Sequence, residues 1–118
     1  MSDYIRKKGS REFIEVKAGQ GTSMQILIGP EEAPNFAFRK FTMKPHGGMP
    51  KHTNLVEHEQ YVLSGSGTVE IAGEIFEVSA GDSVFIPAEA PHSYKAGADG
   101  MEFICVVPNK EDKIEIVE

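Results

Sequence analysis

Three of the four histidines in this sequence fall in two short segments rich in residues that favour extended structure. His52 and His58 lie within residues 50–62, and His92 opens a later segment. Neutral imidazole is a good ligand for zinc, iron, copper, nickel and manganese, and three imidazoles on rigid strands would form one coordination face. The sequence therefore predicts a site for one divalent transition metal, with Fe, Mn, Zn, Ni and Cu all left open.

Asn54 is the candidate for a fourth ligand. It lies two residues after His52, so on a strand both side chains would point to the same side. An amide oxygen is a weak ligand, and three readings stay open: Asn54 coordinates the ion, holds a metal-bound water, or does neither. Three neutral imidazoles would leave the ion its full positive charge and an open position, which favours an anionic, chelating small-molecule ligand.

Candidates for catalytic roles are weaker. Gln60 and Tyr94 would share a face with His58 and His92 and line a cavity, although either side chain could equally be packing. Cys105 is a third candidate, with a buried and inert thiol as the commoner alternative. His46 lies in a glycine-rich stretch and is expected to be exposed and without a role.

The elements that must position these residues are short strands. Sustained helical periodicity is absent, and β-rich runs are separated by Gly and Pro, which is typical of a sandwich or barrel. The predicted strands are Met24–Ile28, Asn35–Met43, Glu57–Leu63, Thr68–Ala72, Glu74–Val78, Ser83–Ile86, His92–Lys95 and Met101–Val107. The glycine-rich stretches at residues 45–48 and 65–67 are expected to be turns, and Ala72-Gly73 a tight hairpin.

Two further patterns concern packing. Alternation in residues 36–43 slips near Arg39-Lys40, which predicts a β-bulge. Six phenylalanines are interpreted as core or cavity wall: Phe36, Phe38, Phe41, Phe76, Phe85 and Phe103.

The length of 118 residues predicts one domain, with a barrel core over about residues 24–107. Residues 1–12 would form an N-terminal arm, and residues 108–118 a tail with a possible edge strand. Exposed sheet edges are often covered by a partner chain, and the arm and tail are the pieces expected to cross between subunits.

Charge and cysteine content restrict the partners and the compartment. The formal net charge is -6, and an acidic chain without a basic stripe is a poor binder of nucleic acid or anionic membranes. The single cysteine allows no intrachain disulfide, no signal-peptide pattern opens the sequence, and no apolar run approaches the length of a membrane span. A cytoplasmic location is the expectation.

The two histidine segments resemble the two motifs of the cupins. In the first motif, His52 matches the first His, Asn54 replaces the second, His58 stands where Glu is usual, and Gly65 follows after six residues. Gly47 matches the initial Gly with a spacing one residue shorter than usual.

The second motif begins at Gly81. Pro87 follows after five residues, and His92 falls where the motif His belongs, while Glu89 replaces a Gly and Ala96 replaces an Asn. The resemblance covers residues 24–107 and implies a cupin-type antiparallel β-barrel, also called a double-stranded β-helix or jelly roll. Similar small single-domain cupins bind a metal ion through four imidazoles, of which this chain keeps three. Small cupins also commonly dimerise through sheet edges, so the resemblance implies a homodimer.

The resemblance implies two classes of function. The first is a metal-dependent enzyme acting on a small organic substrate, by oxygenase, isomerase or lyase chemistry. The second is a non-catalytic cupin that binds or senses a small molecule or a metal, without a DNA-binding domain of its own. A barrel whose site has lapsed is a third reading, given the replaced motif residues.

Overall fold

The computed structural model describes residues 4–117, and the elements in this range are β-strands connected by turns. The strands are β1 (Ile14–Glu15), β2 (Gln20–Ile28), β3 (Phe36–Thr53), β4 (His58–Ile71), β5 (Glu74–Ser79), β6 (Ser83–Ile86), β7 (His92–Pro108) and β8 (Glu115–Ile116). Every strand pair is antiparallel. The predicted all-β antiparallel class is therefore confirmed.

Three long strands organise the sheet. Its order is β1-β2-β3-β7-β4-β5, with β6 pairing to β4 and β8 to β3. The central strand β7 pairs along its length with both β3 and β4. Because the three strands each extend through both halves of the sheet, the start of β7 lies beside the end of β3, and this places residues distant in sequence at one end of the molecule.

Two stretches predicted to be turns are instead bends within continuous strands. Residues 45–48 belong to β3 and residues 65–67 to β4, so several of the predicted strands merge. A side chain at Gly48 would collide with the backbone carbonyl of Tyr94, and one at Gly65 with that of Gly100. Glycine therefore lets neighbouring backbones approach closely while the strands bend and their pairing resumes beyond a register shift.

The hairpin between β4 and β5 agrees with its prediction. Ile71 pairs with Glu74, and the two-residue turn has φ values of +50° at Ala72 and +88° at Gly73. Positive φ at both central residues is the geometry of a type I′ turn, which matches the natural twist of an antiparallel pair.

The predicted bulge at Arg39-Lys40 is wrong. Strand β3 pairs with β7 without a shift from Phe36 to Met43, and the irregularity on its other side lies in β2, between Ile26 and Ile28. Alternation slips in the sequence because a charged side chain, Arg39, occupies an inward-facing position between Ala37 and Phe41.

The interpretation of the phenylalanines holds only in part. Phe103 is buried and Phe41 is partly buried against the core. Phe36 is 60% exposed, so its placement in the core or cavity wall is wrong. Phe85 and Phe76, which are 57% and 44% exposed, lie outside the core and line the open groove beside β5 and β6. Phe38 is partly buried in a surface groove beside the N-terminal arm. Strand alternation gives the reason at two of these positions, because the buried neighbours Ala37 and Ile86 take the inward face.

Both chain ends pack against their own barrel. In the N-terminal arm, Arg6 and Arg11 each donate to Oε1 of Glu32, at 2.6 and 2.7 Å, and the Gly29 amide donates to its Oε2 at 2.7 Å. At the other end, β8 pairs with the end of β3. Residues 1–3 of the predicted arm and residue 118 of the predicted tail lie outside the described residues.

We expect the substitution Glu32→Gln to loosen the N-terminal arm. The Gly29 amide and the two guanidinium groups hold the pKa of Glu32 at about 2, so the carboxylate contribution is complete above about pH 4.5 and is lost as the pH falls towards 2. Limited trypsin digestion at neutral pH should cleave the N-terminal arm of the Glu32→Gln variant faster than that of the wild type. Glu31→Gln is the matched control, and equal cleavage of both variants would contradict the role given to Glu32.

Across residues 4–117 there is no helix long and apolar enough to cross a membrane. The homodimer stays a prediction.

Candidate metal centre

The three predicted histidine ligands meet at one end of the barrel. His52, near the end of β3, pairs directly with His92, the first residue of β7, and their ring centroids are 4.2 Å apart. His58 begins β4, and its ring centroid is 5.8 Å from that of His92. All three side chains are buried, with exposed fractions of 4%, 7% and 1% for His52, His58 and His92.

Backbone carbonyls determine the protonated ring nitrogen of two of these histidines. Nδ1 of His52 lies 2.7 Å from the Pro50 carbonyl oxygen, and Nδ1 of His92 lies 2.9 Å from that of Ala90. A carbonyl oxygen only accepts, so each Nδ1 must carry the proton and each Nε2 must carry the lone pair. This is the tautomer that binds a metal through Nε2, with the outer hydrogen bond fixing the ring orientation.

Burial keeps the imidazoles of His58 and His92 neutral. Desolvation lowers the pKa of His58 to about 3 and that of His92 to about 4. The charge of Arg39 lowers the pKa of His58 further, and neighbouring imidazoles lower both pKa values. At neutral pH both rings are therefore unprotonated at one nitrogen. The Nε2 atoms of His58 and His92 are buried without any hydrogen-bond partner, although buried polar atoms are normally paired.

Asn54 contributes a third unpaired acceptor. Its side chain is 4% exposed, and its Nδ2 donates to Oδ2 of Asp112 at 3.0 Å. The other carboxylate oxygen of Asp112 accepts from the amides of Leu55 at 2.7 Å and Val56 at 3.4 Å. Asp112 thus directs the amide nitrogen of Asn54 to itself and leaves Oδ1 of Asn54 buried without a partner.

We expect the substitution Asp112→Asn to weaken metal binding about 10- to 100-fold, the usual effect of losing a group that orients a ligand. An asparagine can still accept from the loop amides, but its own NH₂ group would oppose the NH₂ of Asn54 and turn that amide around. Competition with a chromophoric chelator measures the affinity. The neighbouring variant Glu111→Gln removes one carboxylate without this contact, and it should bind metal as wild type does.

Asn54 and the three histidines line an enclosed cavity of about 130 Å³. Its other lining residues are Val16, Met24, Arg39, Phe41, Met43, Met49, Gln60, Tyr94, Phe103, Asp112 and Ile114. A more open groove of about 610 Å³ lies beside β5 and β6, but no histidine lines it. The chemistry predicted from the sequence therefore belongs to the smaller cavity.

The weaker candidates lie around this cluster. Gln60 and Tyr94 line the cavity, and Nε2 of Gln60 donates to the Tyr94 hydroxyl at 2.7 Å. Desolvation raises the pKa of Tyr94, which stays a neutral phenol. Cys105 lies behind His58, with Sγ 3.2 Å from Nδ1 of the ring, and burial raises the pKa of its thiol. At this distance the Cys105 thiol can hold the His58 ring in its orientation. His46 is exposed, as predicted.

Among the polar and charged residues of the cavity wall, sequence reasoning missed two, Arg39 and Asp112. The signal for Arg39 was the slip in alternation, which marks a cation at an inward position. Asp112 gave no signal, because it lies in a polar stretch of the tail that reaches the barrel only through the fold.

The donor atoms are of the types that transition metals prefer, but they lie too far apart to bind one ion together. In the described part of the chain, no three His, Cys, Asp or Glu side chains are close enough to hold an ion as they stand. Zinc–nitrogen bonds of about 2.0–2.1 Å would bring the donor atoms to within about 3.3 Å of one another. Binding therefore requires the side chains to close around the ion.

Known proteins are similar to this chain in sequence and in fold. The uncharacterized protein MJ1618 of Methanocaldococcus jannaschii is 26% identical over 98% of this chain and 87% of its own length. The polyketide cyclase RemF from Streptomyces resistomycificus superimposes with a TM-score of 0.87 and 28% identity, over 100% of this chain and 87% of that one.

Larger enzymes contain the same barrel. A deletion mutant of oxalate decarboxylase OxdC from Bacillus subtilis matches with a TM-score of 0.74 and 25% identity, over 83% of this chain and 28% of that one. These likenesses confirm the predicted cupin fold. The Cupin_2 family, described as a cupin domain, matches residues 39–107, which is more than half of the chain, and the protein therefore belongs to that family.

Proposed function

We propose that this protein is a metal-dependent enzyme that acts on a small organic substrate. His52, His58 and His92 would hold one divalent transition metal, and Asn54 would turn its amide oxygen to the ion or to a water bound there. The observation that carries the proposal is the convergence of unpaired acceptors: Nε2 of His58, Nε2 of His92 and Oδ1 of Asn54 are all buried without partners at one cavity.

Residues of this chain would prepare the site before any substrate arrives. The Pro50 and Ala90 carbonyls hold two imidazoles with their lone pairs available, and Asp112 holds the Asn54 amide. When bound, the ion would supply Lewis acidity, polarising a substrate oxygen or lowering the pKa of a bound water. Apolar side chains, among them Phe41 and Phe103, line the remaining wall and limit the access of water.

The reaction type is left open among oxygen-dependent oxidation, isomerisation and lyase chemistry, because one fold supports all three. The likeness to a polyketide cyclase and to an oxalate decarboxylase supports an enzyme of small organic molecules. The metal is likewise left open among Fe, Mn, Zn, Ni and Cu, because imidazole suits most of these ions.

One observation favours a binding protein without catalysis. Among residues 4–117, no general base faces the cavity: Tyr94 keeps its proton, Gln60 is neutral, and both oxygens of Asp112 are engaged by Asn54 and the following loop. A cavity with this lining can bind and sense a small molecule or a metal without transforming it.

The metal content of protein purified without a His tag tests the proposal. Cultures supplemented with each metal in turn should yield about one ion per chain for at least one metal. The loaded forms are then screened for turnover of small organic acids, catechols and thiols. Turnover supports the enzyme, tight binding of one compound without turnover supports the sensor, and protein that retains no metal under any supplement contradicts both metal-dependent readings.

A further inference from the structure

Arg39 is a cation on the inside of the barrel without a carboxylate partner. It lies on the inward face of β3, lines the cavity, and has its guanidinium carbon 5.2 Å from the centre of the Phe41 ring. Nε is buried without a hydrogen-bond partner, and no ion pair among residues 4–117 includes Arg39. An unpaired charge at a partly buried position is costly, so the missing partner calls for an explanation.

The carboxylates nearest the cavity do not supply that partner. Asp112, which lines the same cavity, uses both oxygens for the Asn54 side chain and the loop amides. Glu59 lies on the outer face of β4 and is exposed. Within the part of the chain that the structure describes, the one polar contact of the guanidinium group is a long one, from Nη2 to Sγ of Cys105 at 3.5 Å.

The same sulfur connects Arg39 to the histidine cluster. Sγ of Cys105 lies 3.2 Å from Nδ1 of His58, so the guanidinium group and the His58 imidazole flank one atom. Because Arg39 also lines the cavity that contains the three imidazoles, an anion that it holds inside this cavity would lie near His58. A planar guanidinium group with free N–H donors recognises a carboxylate through two parallel hydrogen bonds.

We propose that Arg39 binds the carboxylate of a small organic acid whose second oxygen donor faces the open coordination position. This inference rests on the proposed function for that second contact alone. The cavity of about 130 Å³ is slightly smaller than the roughly 150 Å³ that holds a benzene molecule, so the acid has about six non-hydrogen atoms or fewer. Its apolar part would contact Phe41, Phe103 and Met43.

Pyruvate and its neutral analogue pyruvamide are the first probes, followed by glycolate with its amide, and by inorganic phosphate. Calorimetric titration of the metal-loaded wild type should show each bound carboxylate preferred over its amide by about 10- to 100-fold, the usual contribution of hydrogen bonds to a charged group. Arg39→Gln should abolish this preference. Arg39→Lys should restore part of it, because a single ammonium supplies charge without the bidentate geometry.

Lys40→Gln is the matched control, since it removes one positive charge from the outward face of the same strand, where Lys40 pairs with Glu102. It should leave the preference intact. Metal content, measured on every variant, separates this inference from the proposed function. Equal metal content with an unchanged preference in Arg39→Gln overturns the role of Arg39 alone.

Three further outcomes are decisive. Failure of every carboxylate to bind the wild type overturns the inference. If phosphate binds and no carboxylate does, the site recognises an inorganic anion, and this outcome also overturns the inference. An Arg39-dependent preference in protein that never retains metal supports the anion site while contradicting the proposed function.

Discussion

Replacing His92 with alanine is expected to abolish stoichiometric metal binding. His92 lies between His52 and His58 and is the most buried of the three, with 1% of its side chain exposed. Loss of a residue that merely orients a ligand costs about 10- to 100-fold in metal affinity, so loss of a direct ligand should cost at least about 100-fold. Metal analysis after dialysis should find the wild type occupied and the His92→Ala variant empty.

A stability measurement guards against trivial misfolding. A ligand present at about 100 times its dissociation constant stabilises the folded state by about 2.7 kcal/mol, so added metal should raise the Tm of the wild type. His92→Ala should show no such rise, and each variant is compared with its own metal-free form, which cancels any cost of the substitution itself. His46→Ala, at the exposed fourth histidine, should respond as wild type does. A metal-dependent rise in Tm retained by His92→Ala would exclude the proposed ligand set.

The sequence predicted the position of the histidines better than it predicted the strands that hold them. Motif spacing placed His52, His58 and His92 together, because matching motif positions report on spatial neighbours even where strand boundaries are wrong. The boundaries failed at residues 45–48 and 65–67, where Gly and Pro were read as turns. Glycine also serves where backbones touch, and only the packed structure distinguishes the two uses.

Arg39 and Asp112 could not be assigned from spacing. Asp112 reaches Asn54 across 58 positions of sequence, and its contact depends on the path of the tail over the end of the barrel. Arg39 did disturb the alternation of its strand, but a bulge and an inward-facing charge leave the same trace in a sequence. The register of β3 against β7 distinguishes a bulge from an inward-facing charge. This register depends on how the two strands pair, so the sequence of β3 alone does not reveal it.

The departures from the second motif have structural consequences of their own. Glu89, which stands where the motif has Gly, adopts a φ of +66°. This is the left-handed region, in which a residue with a Cβ costs roughly 1–2 kcal/mol. A glycine, the residue of the motif, would adopt this φ without that cost. The Glu89 amide donates to the Asn54 carbonyl at 2.8 Å.

Gly65, the last residue of the first motif, is expected to be among the least replaceable positions of the barrel. Its φ is +77°, and a Cβ there would overlap the backbone carbonyl of Gly100 at the point where β4 and β7 bend together. Gly65→Ala should therefore combine backbone strain of roughly 1–2 kcal/mol with a steric cost of roughly 1–3 kcal/mol. We expect the free energy of unfolding to fall by about 3–5 kcal/mol in chemical denaturation, which leaves a domain of ordinary stability barely folded.

The variant Gly73→Ala separates the cost of backbone strain from the cost of the steric contact. Gly73 has a φ of +88° in the β4–β5 turn, but nothing lies within 4 Å of the position a Cβ would take. It should lose only the strain contribution, roughly 1–2 kcal/mol, so the difference between the variants reports the contact with Gly100. Equal losses would mean that the motif glycine is required for its backbone conformation alone. A larger loss at Gly65 would show that the motif requires glycine because the backbones of β4 and β7 lie close together where both strands bend. Both strands begin at a histidine of the cluster, so this bend helps to position the candidate site.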